Sequence, residues 1–217
     1  MKIDDYPVRK KKIFLAACKL FSQKCYADVG IRELAVEAEI QVPTIYSYYQ
    51  SKEAVLDDLF RYYAFRLCQL YDRVENIDYD QDPVVCLKKM IFTFEADEVG
   101  LMRQLMQIVF NEQHRSSHAA KIIFDISLRK AKKGYYDFFA HLKEKGVLRC
   151  GEIDSYAEVF SRIGITFAMQ FARDDEIGRC PDYETVVTDM FQLMLSSPAS
   201  DDREEAFPEF AGMHMPW

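Results

Sequence analysis

Thr44, Tyr46, Ser47, Tyr48 and Lys52 set four hydroxyl groups and one ammonium within nine residues of chain. They lie in the stretch VPTIYSYYQSKEAV, from Val42 to Val55, where three tyrosines crowd into four residues. Such side chains donate hydrogen bonds to phosphate oxygens without telling one base from another. Helical periodicity sorts them. Ile45 and Tyr49 lie four apart and face the same way as Ile40, which puts Tyr49 in the core. Thr44, Tyr46, Ser47 and Tyr48 point away from that stripe. Gln41, Val42 and Pro43 sit at the leading end, where a helix entering a major groove meets base edges. Elsewhere the chain has no glycine-rich phosphate loop, no nucleophile elbow and no acid–base cluster of recognisable spacing, so no enzyme is expected.

Apolar spacing predicts an all-α fold. Ile13, Ala17, Leu20 and Phe21 define a helix over 8–24. Ile31, Leu34, Ala35 and Ala38 define a much shorter one, and a third starts near Val42 with Pro43 in its first turn. The second and third, joined by Glu39–Gln41, have the dimensions of a helix-turn-helix. Ser51 caps the next helix, whose buried stripe is Leu56, Leu59, Phe60 and Tyr63. Further helices are expected over 82–94, opened by Asp82-Pro83, over 101–112 after Gly100, over 117–145 stopped by Gly146, and over 154–173 and 182–196.

Between Arg9 and Leu59 the sequence resembles the DNA-binding domain of the TetR family of bacterial transcriptional regulators. Ala17, Leu20, Phe21, Tyr26, Ile31, Leu34, Ala35, Ala38, Thr44, Ile45, Tyr46, Tyr48, Tyr49, Ser51, Lys52, Glu53 and Leu56 carry the likeness. The resemblance implies that Thr44, Tyr46 and Tyr48 contact DNA, that Lys52 holds a phosphate, and that Arg32 reaches the backbone or a base. Departures are Cys25 for a glycine, Gly30 for a Ser/Thr cap, Gln41 for a serine cap, and Glu39 for the glycine of the turn. A non-glycine in a left-handed turn is strained by roughly 1 kcal/mol.

The resemblance also implies two copies and a small-molecule effector, which together make a homodimeric, cytoplasmic repressor released from operator DNA. The candidate dimer helices carry Phe160, Ile163, Gly164, Phe167, Ala168 and Phe171, then Val186, Val187, Met190 and Leu193. Aromatic and thioether side chains suited to a largely apolar effector are Tyr62, Phe65, Met90, Phe94, Met102, Met106, Phe110, Phe124 and Phe139. The division expected is a DNA-binding domain over 1–52, an effector-binding and dimerisation domain over 53–197 and a tail over 198–217.

Composition agrees with a soluble regulator. The chain of 217 residues is 49% hydrophobic and 29% charged, with no apolar run long enough to span a bilayer. Its net charge of −7 averages +3 over residues 1–52 and −10 over the remainder, a basic head on an acidic body. VRKKK followed by IFLAACKLF is a poor secretion signal, because Lys19 interrupts the apolar run and no cleavage site follows. Six scattered cysteines without a C-x-x-C pair suit reduced thiols, and no cofactor is expected. Two other readings stay open: a metal- or redox-responsive protein using His114 and His118 or the cysteines, and a carrier of apolar ligands. Replacing Gln41 or Pro43 is expected to change which DNA sequence is preferred. Uniform weakening across operator variants would show that neither residue reads a base.

Overall fold

Short capping interactions divide the chain into helices almost where the pattern places them. The computed structural model describes residues 3–90, 98–148, 151–173 and 183–196, and every regular element among them is helical. Val8–Gln23 form α1, Ile31–Glu37 α2, Val42–Tyr48 α3, Lys52–Val74 α4, Pro83–Met90 α5 and Val99–Glu112 α6. Ser117–Lys121 form α7, which runs through a π-helical stretch, Ile122–Leu128, into α8, Arg129–Glu144. Ile153–Arg173 form α9 and Tyr183–Ser196 α10. Short 3-10 turns, Ile3–Asp5 and Tyr26–Asp28, precede α1 and α2.

Ser51 caps α4 by accepting the Ala54 amide at 3.2 Å, with Glu53 in the first turn. Asp82 accepts the amides of Val84 (2.9 Å) and Val85 (3.1 Å), so Asp-Pro opens α5 as expected. Gly100 is not a break. It lies within the first turn of α6, whose start is set by Glu98, and the Glu98 carboxylate is gripped by the Arg66 guanidinium. The 117–145 stripe is one continuous helical path, but its π-helical stretch is absent from the periodicity. There the Ser127 carbonyl accepts the Tyr71 hydroxyl at 2.8 Å, and the Ser127 hydroxyl donates to the Ile122 carbonyl at 3.2 Å.

Two helix ends show one motif built from unlike residues. After α8, Gly146 (φ 70°) donates to Lys143 at 3.0 Å and Val147 donates to Leu142 at 2.9 Å. After α2, Glu39 (φ 54°) donates to Val36 at 3.0 Å and Ile40 donates to Ala35 at 3.0 Å. Both satisfy the last carbonyls through a left-handed residue. Glycine adopts that conformation freely; glutamate does so against its Cβ. The Glu39 carboxylate is paired with Lys12 at 2.9 Å, but both groups are exposed and such pairs add little.

The helices close over two apolar clusters. The first joins α1 to α4 with α6, α7 and the π-helical stretch, around Phe14, Phe21, Leu34, Ile45, Leu59 and Tyr62. The second joins α5, α8, α9 and α10 around Phe138, Phe139, Phe160 and Phe191. Ala131 packs against both, and Val74 at the end of α4 belongs to the second. Gly134 permits close approach there, since a Cβ would stand 3.2 Å from Val74 Cγ1. Among the described residues no helix is long and apolar enough to cross a membrane. Glu39→Gly is expected to raise stability by about 1 kcal/mol, less the entropy that glycine adds to the unfolded chain, and Glu39→Val to lower it. Thermal unfolding of the two variants checks the order.

Candidate nucleic-acid interface

Seven residues are too few for a helix to persist unaided, so α3 is held from one side and presents the other. Ile45 is completely buried and Tyr49, just past the last turn, is buried as the spacing predicts. Pro43 lies in the first turn, and Gln41 precedes it without a side-chain cap. Tyr46 is 52% exposed, and Tyr48, Ser47, Gln41 and Pro43 are exposed with it. Thr44 is half-buried, and Val42 is half-buried because it packs against the first cluster. Of the three leading residues, Gln41 and Pro43 are therefore the exposed ones. The Ser47 hydroxyl donates to the Thr44 carbonyl at 2.7 Å. That commits its proton within the helix.

Lys52 is engaged within the head. Its ammonium donates to the carbonyls of Tyr26 (2.9 Å) and Val29 (2.8 Å) and lies 4.2 Å from the centre of the Tyr26 ring. Two of the three protons of the group are thus committed to the turn between α1 and α2, joining that turn to the start of α4. Most lysines of the head are paired as well. Lys10 meets Asp58 at 3.0 Å, Lys11 Asp4 at 2.5 Å, Lys12 Glu39 at 2.9 Å, Lys19 Glu37 at 2.6 Å and Lys24 Glu33 at 2.5 Å. Lys24 holds the Glu33 carboxyl below its ordinary range by hydrogen bonding, and Lys12 does the same to Glu39. Among the described residues of the head, Arg9, Arg32 and Lys52 are the cations without a carboxylate partner, and Arg32 is exposed on the first turn of α2. Long-range pairing of this kind has no signal in a sequence stripe.

A short, pinned helix with an exposed polar face, following a second short helix through a tight turn, is the form that enters a major groove. Residues 13–59 match the family model described as bacterial regulatory proteins, tetR family. Over this segment the chain is similar to TetR-family regulators. A curated relative, the HTH-type transcriptional regulator YuxN of Bacillus subtilis, is 40% identical over 69 residues, 32% of this chain; the match spans only 23% of that relative's length. The whole fold is similar to a TetR-family regulatory protein from Rhodococcus RHA1, with a TM-score of 0.62 at 17% identity over 88% of this chain and 96% of that one. It is also similar to a transcriptional regulator from Saccharomonospora viridis solved in complex with choline, with a TM-score of 0.61 at 17% identity over 84% and 95%.

The candidate effector-lining residues are divided between the two clusters. Tyr62, Met102 and Met106 are buried in the first cluster with Phe110 against it, whereas Met90 and Phe139 are buried in the second. Phe65 is partly exposed and Phe124 is 58% exposed, because the π-helical stretch turns it outward. Phe94 lies outside the described residues. Several candidate dimer residues pack against the clusters of the chain itself. Phe160 is fully buried, Ile163 and Met190 lie against the second cluster, and Ala168 and Phe171 lie against the first, with the Arg103 guanidinium 4.6 Å from the Phe171 ring centre. Gly164, Phe167 and Val186 are half-buried. The side chains of Val187 and Leu193 lie outside the described residues, as does the 198–217 tail. On α9 the outward apolar side chains are Val159 and Met169, 47% and 45% exposed.

His114 and His118 do not share a helix, since the chain turns at Arg115 and Ser116 caps α7. His118 rests on the Phe60 ring and faces Asp57 at 3.5 Å. Among the described residues no three His, Cys, Asp or Glu side chains gather as a metal site. Burial pushes the Cys18 thiol up, away from the reactive thiolate. Lys52→Ala is expected to destabilise the head by about 1–3 kcal/mol, leaving the Val29 carbonyl without its donor. It should leave the slope of log affinity against log salt unchanged, whereas Arg32→Ala should reduce that slope by about 1. A reduced slope for Lys52→Ala would restore it as a phosphate contact.

Proposed function

We propose that this chain is a homodimeric DNA-binding repressor, released from its operator when a small molecule alters the body. The observation that carries the reading is the outward face of α3, with Tyr46 and Tyr48 exposed beside Gln41 and Pro43 while Ile45 and Tyr49 anchor the inner face. Arg32 supplies charge to the same surface from α2. A seven-residue helix covers few base pairs, so two heads on half-sites about 34 Å apart, or a multiple of it, are needed for a specific site.

Incomplete burial along α9 supports the second copy. Over its 21 residues only Ala157, Phe160, Ser161 and Ala172 are buried, although the helix is rich in apolar side chains. Val159, Thr166 and Met169 form the outward stripe, with Ile163 and Phe167 half-exposed at its borders. A self-complementary contact through such a face is the commonest form of homodimer.

The many buried aromatic and thioether side chains of the body suit a largely apolar effector, and the choline-bound relative is a precedent for a small ligand in this fold. The seam between the two cores at Ala131 and Gly134 is where the body would open to admit it.

Sequencing genomic fragments retained by the purified protein tests the DNA reading; no enrichment in dilute buffer would overturn it. The double variant Val159→Glu/Met169→Glu is expected to sediment as a monomer at micromolar concentration and to bind the retained fragment at least about tenfold more weakly. A dimer that persists would place the interface elsewhere.

A further inference from the structure

One carboxylate lies inside the head. Asp58, on the second turn of α4, is 5% exposed and gathers groups from three other segments. Its Oδ2 accepts the Tyr49 hydroxyl at 2.8 Å and meets the Lys10 ammonium at 3.0 Å. Its Oδ1 accepts the Tyr6 hydroxyl at 3.2 Å, with the Arg61 guanidinium 3.8 Å away on its own helix. The Lys10 ammonium also lies 4.1 Å from the centre of the Tyr6 ring and 5.4 Å from that of Tyr49. The segment before α1, α1 itself and the residue that closes α3 therefore meet at one group on α4.

We propose that Asp58 is the positioning residue of the recognition helix, fixing α3 on α4 in the orientation that meets duplex DNA. The inference rests on the DNA-binding reading above. Two contacts on one face of α3, a turn apart, define its attitude. Ile45 supplies the first through apolar packing, which is non-directional and leaves the helix free to roll about that point. Tyr49 supplies the second, and its bond to Asp58 is short and directional. Burial first, then the adjacent carboxylate, keeps the phenols of Tyr6 and Tyr49 protonated, so both remain donors. Lys10 neutralises the buried charge, which otherwise would draw water or a proton into the head. Tyr49 faces away from the DNA surface, so any effect of its hydroxyl on DNA must act through the attitude of α3.

The full-length variants Tyr49→Phe, Tyr6→Phe and Asp58→Asn test this by two measurements. One is affinity for a retained genomic fragment over a range of salt concentrations. The other is amide hydrogen exchange along the head. Tyr49→Phe is expected to bind about tenfold more weakly with an unchanged salt slope, because the phosphate contacts persist in number but are misaligned. Amides 45–49 should exchange faster while those of α1 keep their wild-type protection. Tyr6→Phe, which leaves the Tyr49 bond in place, should lose less. Wild-type affinity and protection in Tyr49→Phe would overturn the proposal, as would exchange that accelerates equally in α1, the mark of a merely structural bond. If Asp58→Asn does not fold, Tyr49→Phe decides, since it removes a single oxygen. Should the wild-type protein retain no fragment, the DNA reading fails by itself, and the exchange comparison still decides whether Asp58 fixes α3.

Discussion

A seven-residue helix has almost no stability of its own in water, and the head is organised around that constraint. Nucleating a helix fixes several residues for each early hydrogen bond, so α2 and α3, seven residues each, exist because packing holds them. The holding is done by Leu34 and Ala35 from α2 and by Ile45 and Tyr49 from α3, all seated against α1 and α4. The outer face of α3 is thereby released from any part in folding. Tyr46, Ser47 and Tyr48 can be chosen for what they meet outside, and a family can vary them without refolding the head.

Charge in the head is arranged with similar economy. A surplus of +3 over residues 1–52 is too small to steer by itself, and most of the lysines behind it are engaged with neighbouring carboxylates. Exposed pairs of this kind are worth little and are screened by salt, so they can be exchanged for phosphates at small loss. Lys52 and Lys10 are different. Their partners lie within the fold, two carbonyls for the one and the buried Asp58 for the other, and giving them up would loosen the head itself. The cations that can meet DNA without prior rupture are Arg9 and Arg32.

Features written in neighbouring residues are legible in the sequence alone. Ser51 as a cap, Asp82-Pro83 as a start and Gly146 as a stop each depend on a few adjacent positions, and among the described residues helix ends follow within a residue or two; the expected end of the 82–94 helix lies outside them. The inward sense of Tyr49 follows from the Ile45 spacing. What escapes depends on distant segments. The π-helical stretch leaves the 117–145 apolar stripe nearly intact while rotating Phe124 outward, so a candidate lining residue lies at the surface. Asp58 follows the exposed Asp57 in α4, and its burial makes sense only with residues 6, 10 and 49 beside it. For Lys52, the carbonyls that claim it lie more than 20 positions earlier in the chain. The aromatic and methionine residues of the body announce a core, but not that it divides in two.

That division gives α4 its mechanical meaning. At 23 residues the helix is a rod of about 34 Å, and it is shared by everything that must communicate. Its first residue is tied to the α1–α2 turn, its second turn holds Asp58, Arg66 grips the start of α6, Tyr71 reaches the π-helical stretch, and Val74 ends in the second core. On the proposed reading, a ligand that parts the two cores would move Val74, and the hydrogen-bonded α4 would pass that displacement toward Asp58. The carboxylate must then either carry Tyr49 along, tilting α3, or release it. In both cases the free energy by which such a ligand would weaken DNA binding equals that by which DNA would oppose the ligand, as linkage requires. The directional bonds along α4 therefore set how much of that coupling reaches the recognition helix, and a head held by apolar contacts alone would let much of it dissipate as slip.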